Sequence, residues 1–126
     1  MGQLLAVGLG GFVGAITRYG IGGGVHRLYG DRFPMGTLVV NVLGCLLIGM
    51  LMSLFEERQL FSPSARLFLS IGFLGSLTTF STMGYETVQY LRDSAIVPAL
   101  LNVLANAVLG IGAVLLGRLI VRSFGA

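Results

Sequence analysis

Apolar residues run along this chain in long blocks. They show neither the period of two of a half-buried strand nor the narrow stripe of a soluble amphipathic helix. Four blocks stand out, at about 4–25, 35–55, 65–91 and 95–117, parted by short links that hold Arg, Asp, Glu, Pro and Ser. A helix needs about 20 apolar residues to cross hydrocarbon. The pattern therefore predicts an all-α integral membrane protein, a single four-span domain over residues 1–126, with links too short for a soluble domain.

The third block differs from the others. Residues 67–83 read LFLSIGFLGSLTTFSTM, without a charge, yet five hydroxyls and Gly75 fall within 75–82. Two readings are open on these residues alone. Either the helix is broken near 75–79 and the break holds or guides an ion, as half-helix ends do in transport proteins. Or the helix is continuous, its Ser and Thr hydroxyls bonding back to their own turn while Gly75 allows close packing.

Polar residues in the other blocks sharpen the picture. Arg18 lies well inside the first block, where a guanidinium must snorkel, pair or face an aqueous cavity. Asn41 in the second block bonds across a helix interface or lines a polar path, and on either reading it faces protein. Asn102 and Asn106, spaced i,i+4, share one face of the fourth block. Glu86 is either buried and titrating or marks a pore mouth, and its position about two turns inside the interface marked by Arg92 and Asp93 favours the mouth. Gly10 with Gly14, and Gly20 with Gly24, line faces that let helices approach closely. Gly22-Gly23-Gly24 predicts a weak end to the first helix, and Ser62 or Ser64 a cap on the third.

Composition agrees with a membrane setting: 55% of residues are hydrophobic and 10% charged, with a mean hydropathy of +0.90. The first residues lack the basic n-region of a cleavable signal peptide. The net charge of +3 is small and scattered, which suits lipid headgroups and not nucleic acid. The single cysteine, Cys45, reads as a small packing residue. The sequence argues against an enzyme, because no nucleophile, base and orienting group stand at recognisable spacing and no metal-ligand cluster occurs. With four spans, Arg58, Arg66, Arg118 and Arg122 lie on one side and Arg27, Arg32 and Arg92 on the other. So slight a bias makes the two insertion directions nearly isoenergetic and permits antiparallel pairing of identical chains.

Small size and balanced arginines would also suit a small multidrug exporter, but that mechanism wants a buried carboxylate in the first span, where this chain has Arg18. The stretch Gly72-Phe73-Leu74-Gly75-Ser76-Leu77-Thr78-Thr79-Phe80-Ser81-Thr82 resembles the Fluc/CrcB family of fluoride channels. Gly14-Ala15-Ile16-Thr17-Arg18-Tyr19 and Gly36-Thr37-Leu38-Val39-Val40-Asn41-Val42-Leu43-Gly44 carry the same resemblance, which covers the whole chain.

The resemblance implies an antiparallel, dual-topology homodimer in the inner membrane of a bacterium, passing fluoride passively through two pores. It implies a structural sodium ion at the dimer centre, held by the backbone carbonyls of Gly75 and Thr78. Phe80 would present its ring to fluoride and Asn41 would donate a hydrogen bond. Ser81 and Thr82 would lie in the polar track, Asn106 would face the pore, and Arg18 and Glu86 would stand in a vestibule. Met83 occupies a pore position where the family's run continues with a second aromatic, so a ring edge is replaced by a thioether. Two other classes compete with this reading. A proton-coupled small-ion transporter would use Glu86 as its carrier, and a non-conducting assembly protein would leave Asn41, Phe80 and Ser81 replaceable.

Overall fold

The computed structural model of the chain describes residues 1–125. Helix α1 spans Gly2–Tyr29 and α2 spans Met35–Arg58. The third span is assembled from pieces: α3 (Pro63–Leu67), a π-helical stretch (Phe68–Leu74), α4 (Gly75–Leu77) and α5 (Phe80–Arg92). Helix α6 covers Ile96–Gly125. Four helical stretches are thus long and apolar enough to cross a membrane, and the third is interrupted.

Each start and stop has a local cause. Pro34 stands immediately before α2, where its missing N–H leaves no donor unmet. Of the two serines able to cap the third span it is Ser62 that does so, its Oγ accepting from the Ala65 N–H at 3.2 Å. The link before it is held by Arg66, whose Nε donates to Phe61 O at 3.2 Å and whose guanidinium lies 5.0 Å from the centre of the Phe55 ring. Contrary to the sequence expectation, Gly22-Gly23-Gly24 stays helical and α1 continues to Tyr29. In hydrocarbon the coil has no water to bond to, so even a glycine run keeps its internal hydrogen bonds. The close approach here is made by Gly36 of α2, on which a Cβ would stand 2.6 Å from the Gly22 carbonyl oxygen, whereas a Cβ on Gly22, Gly23 or Gly24 would meet nothing within 4 Å.

Packing follows the glycines. Helix α2 lies chiefly along α6, and α1 along the π-helical stretch. Gly49 of α2 abuts the Val114 backbone of α6, and Gly117 of α6 abuts Leu46 of α2. On the other side Gly10 and Gly14 of α1 meet the backbone of Phe68 and Phe73. Lipid tails are as apolar as Leu, so burial against them drives little; close van der Waals contact between thin faces holds such helices together. At the ends of α2 and α6, Arg118 pairs with Glu56 at 2.9 Å and Arg122 with Glu57 at 3.3 Å. These exposed pairs add little stability and mark the aqueous boundary.

A methyl group on Gly72 would stand 2.7 Å from the Val7 carbonyl oxygen, whereas one on Gly23 would meet nothing within 4 Å. Gly72→Ala is therefore expected to destabilise the protein by about 1–3 kcal/mol, the usual cost of overpacking. Gly23→Ala should leave stability unchanged or slightly raised. Thermal unfolding in detergent, followed by size-exclusion recovery, distinguishes the two.

Candidate ion pathway

The centre of the site is the interruption between α4 and α5. Thr78 and Thr79 leave helical geometry, with φ/ψ of −83°/155° and −149°/110°. Extended backbone frees peptide groups that hydrocarbon cannot satisfy. Asn41 of α2 takes both free groups of Thr79: its Oδ1 accepts the Thr79 N–H at 2.7 Å, and its Nδ2 donates to Thr79 O at 3.1 Å. The Thr79 hydroxyl then caps α5, accepting from the Thr82 N–H at 3.2 Å and donating to Thr82 Oγ1 at 2.9 Å. Of the two readings left open by the sequence, the broken helix is the one the protein adopts.

A file of carboxamides extends from this point across to α6. Asn41 Nδ2 donates to Asn106 Oδ1 at 2.8 Å, and Asn106 Nδ2 donates to the Asn102 carbonyl at 2.8 Å and to its Oδ1 at 3.2 Å. Asn102, with 0% exposure, donates to Thr87 Oγ1 at 3.0 Å and to Met83 O at 3.3 Å. The file thus begins at the Thr79 N–H, ends at the Met83 carbonyl one turn further on, and passes through two other helices.

Asn41, Thr79, Phe80, Met83 and Asn106 share the wall of a cavity of about 450 Å³, together with Gly75 and Thr78. Phe80 is 82% exposed and Met83 only 7%, so the two residues meet this space differently. Met83 packs inward while Phe80 projects from the chain. Ser81 and Thr82 are exposed on the same first turn of α5. The backbone N–H groups of Phe80 and Ser81 have no partner among the described residues. They lie at the positive end of α5, a setting that favours an anion.

Glu86 lies further along α5, beside a second cleft of about 270 Å³ that it shares with His26, Asp31 and Tyr90. Thr37 donates its hydroxyl to Glu86 Oε1 at 2.5 Å, and Glu86 Oε2 has no partner among the described residues. Tyr90 donates to Arg32 O at 3.1 Å, tying the link between α1 and α2 to α5. Arg18 is not brought into this group. It is half-buried on α1, pairs with no carboxylate among the described residues, and borders neither cavity.

The expected sodium ion on Gly75 and Thr78 is corrected. Among the described residues no group of three or more His, Cys, Asp or Glu converges on a possible metal position. The cavity beside Gly75 and Thr78 is bordered by no carboxylate. Two neutral carbonyls from one chain give a cation neither enough ligands nor a compensating charge. Three further participants had no role assigned from the sequence. Thr79 is the peptide that Asn41 captures, Thr37 is the partner of Glu86, and Asn102 is the buried base of the amide file. The i,i+4 spacing of Asn102 and Asn106 was the available signal for the last of these.

Comparison with known proteins agrees with this architecture. Residues 5–118 match the family model described as CrcB-like protein, Camphor Resistance (CrcB). A protein of Methanosarcina acetivorans named fluoride-specific ion channel FluC 1 is 41% identical over 119 residues, 94% of this chain and 90% of that one. Proteins named fluoride-specific ion channel FluC are 49% identical in Geobacter sulfurreducens, over 86% of this chain and 88% of the relative. In Citrifermentans bemidjiense the figure is 39%, over 98% and 99%. The relatives include archaeal and bacterial proteins, and their names are those of channels and not of enzymes. With four apolar helices, a broken third span and a family match over nearly its whole length, this multi-pass membrane protein belongs to the CrcB/FluC family.

Proposed function

We propose that this protein is a fluoride-selective channel that lets fluoride leave the cell down its electrochemical gradient. The observation that carries the reading is the first turn of α5. There Phe80, Ser81 and Thr82 present a ring and two hydroxyls, with unpaired backbone N–H groups beside them, on a surface that one chain leaves uncovered. The names of the relatives supply the ion.

Fluoride is compact and strongly hydrated, so it enters a low-dielectric path only where donors replace its water. Ser81 and Thr82 offer hydroxyl protons, and the edge of the Phe80 ring offers the positive side of its quadrupole. Asn41 would donate from the cavity wall, with Asn106 behind it. Met83 fills the place of a second ring with a polarizable thioether that donates nothing. Several weak positions in series suit conduction, since one deep position would hold the ion. Glu86 and Arg18 would act at the aqueous ends, Glu86 through the cleft it shares with the tethered link.

An uncovered polar turn at membrane depth needs a cover. A second copy in the opposite orientation would supply it, and the near balance of arginines permits that insertion. The working unit in this reading is an antiparallel homodimer with two pores, seated in the inner (plasma) membrane of a bacterium. A proton-coupled transporter is the second reading, and it rests on the Thr37–Glu86 pair with its unpartnered Oε2.

Liposomes loaded with potassium fluoride and opened to potassium by valinomycin should lose fluoride rapidly at an electrode, while chloride-loaded controls retain their anion. Light scattering in detergent should give twice the mass of one chain. An intact dimer that passes no fluoride overturns the proposal. A flux that requires a proton gradient and vanishes in Glu86→Gln favours the coupled transporter.

Phe80→Leu is expected to lower fluoride flux about tenfold or more, with thermal stability held, because the ring is largely outside the chain's own packing. Met83→Phe should raise flux by a few-fold in the same assay. It should also fold, the two side chains being close in volume.

A further inference from the structure

We propose that the Asn106 carboxamide oxygen is a resident competitor for fluoride, held against Asn41 by Asn102. The inference rests on the fluoride reading above and concerns how tightly the ion is held.

The orientation of every amide in the file is dictated by backbone groups at its ends. The Thr79 N–H can only donate, so the Asn41 atom facing it at 2.7 Å is the carbonyl oxygen. The Asn102 main-chain carbonyl can only accept, so the Asn106 atom facing it at 2.8 Å is the amide nitrogen. The remaining contact, between Asn41 Nδ2 and Asn106 Oδ1 at 2.8 Å, is therefore fixed from both sides. At the far end the Met83 carbonyl fixes Asn102 in the same way, at 3.3 Å.

This direction of donation has a consequence for Asn41. A carboxamide nitrogen carries two hydrogens. One is engaged by Thr79 O and the other by Asn106 Oδ1. An anion beside Phe80 can gain a hydrogen bond from Asn41 only by displacing one of these acceptors. The Thr79 oxygen belongs to the broken backbone that Asn41 stabilises, whereas Asn106 is a side chain on the cavity wall. Fluoride takes the Asn106 place, and its net gain is one acceptor exchanged for another. Exchange keeps the position shallow, as passage requires.

Asn102 acts through Asn106. It is fully buried and does not border the cavity. Its Oδ1 and main-chain oxygen together receive the Asn106 Nδ2 group, which keeps the Asn106 oxygen turned toward Asn41. Asn102 is thus a positioning residue.

The test is the concentration dependence of fluoride flux in liposomes. In Asn106→Leu the freed Asn41 N–H has no resident acceptor, so the half-saturating fluoride concentration should fall about three- to tenfold, the worth of one exchanged hydrogen bond. Asn102→Leu should shift it in the same direction and by less, and the double variant no further than Asn106→Leu alone. Asn106→Asp keeps an acceptor of the same size beside Asn41, makes it anionic and exchanges the donor facing the Asn102 oxygens for a second acceptor, so its charge should raise the half-saturating concentration. That variant also keeps the test open if Asn106→Leu does not yield a monodisperse protein. Loss of maximal flux with the half-saturating concentration unmoved in both Asn106 variants would mean a structural role only and overturn the proposal. A parent protein that passes no fluoride at any concentration instead overturns the channel reading, and this inference falls with it.

Discussion

A peptide group released from a helix inside hydrocarbon has to find a partner within the protein, and the hydrogen-bonding groups of Thr79 find theirs in Asn41. Much of the architecture serves that pairing. Asn41 reaches the break only because α2 lies close to it, with Gly44 giving room for the Thr78 side chain. Helix α6 supplies Asn106 and Asn102 only because Gly49 and Gly117 let its backbone run against α2. The break itself is preceded by a π-helical stretch packed on the glycine face of α1. Removing the carboxamide would leave a donor and an acceptor unpaired where each costs about 1–3 kcal/mol.

Once the break is held, its two sides acquire different chemistry. The side facing α2 and α6 is engaged in the amide file and rigid, because every donor has an acceptor whose direction is fixed. The first turn of α5 is left with free donors, an exposed ring and no cover from its own chain. Rigid backing with an unsatisfied front is the arrangement an anion path needs. Donors must be in place before the ion sheds its water, and they must not collapse onto each other once it has left.

The sequence and the structure agree unevenly, and the reasons are physical. Four spans were legible because hydropathy over twenty residues sums many small terms that tertiary packing does not reverse. The interruption was legible because Gly75 and five hydroxyls are a costly composition for mid-membrane helix, although a continuous helix could not be dismissed on residue type alone. The helical state of Gly22-Gly23-Gly24 ran against propensity measured in water, since hydrocarbon removes the competing coil. The sodium expectation came from resemblance, and no cluster of metal-ligating side chains stands behind it among the described residues.

Length and patterning by themselves determined that the chain crosses a membrane four times, carries in-membrane amides on the second and fourth crossings and concentrates hydroxyls in the third, where a broken and a continuous helix both stayed open until the structure showed the break. Those properties depend on local composition and on the dielectric of the surroundings. Only the tertiary structure decided that Asn41 closes on Thr79, that both of its amide hydrogens are engaged, that Thr37 partners Glu86 and that Arg18 stands apart. Hydrogen-bond direction is a relation between groups far apart in sequence, and it exists only once close helix packing has brought donor and acceptor within about 3 Å.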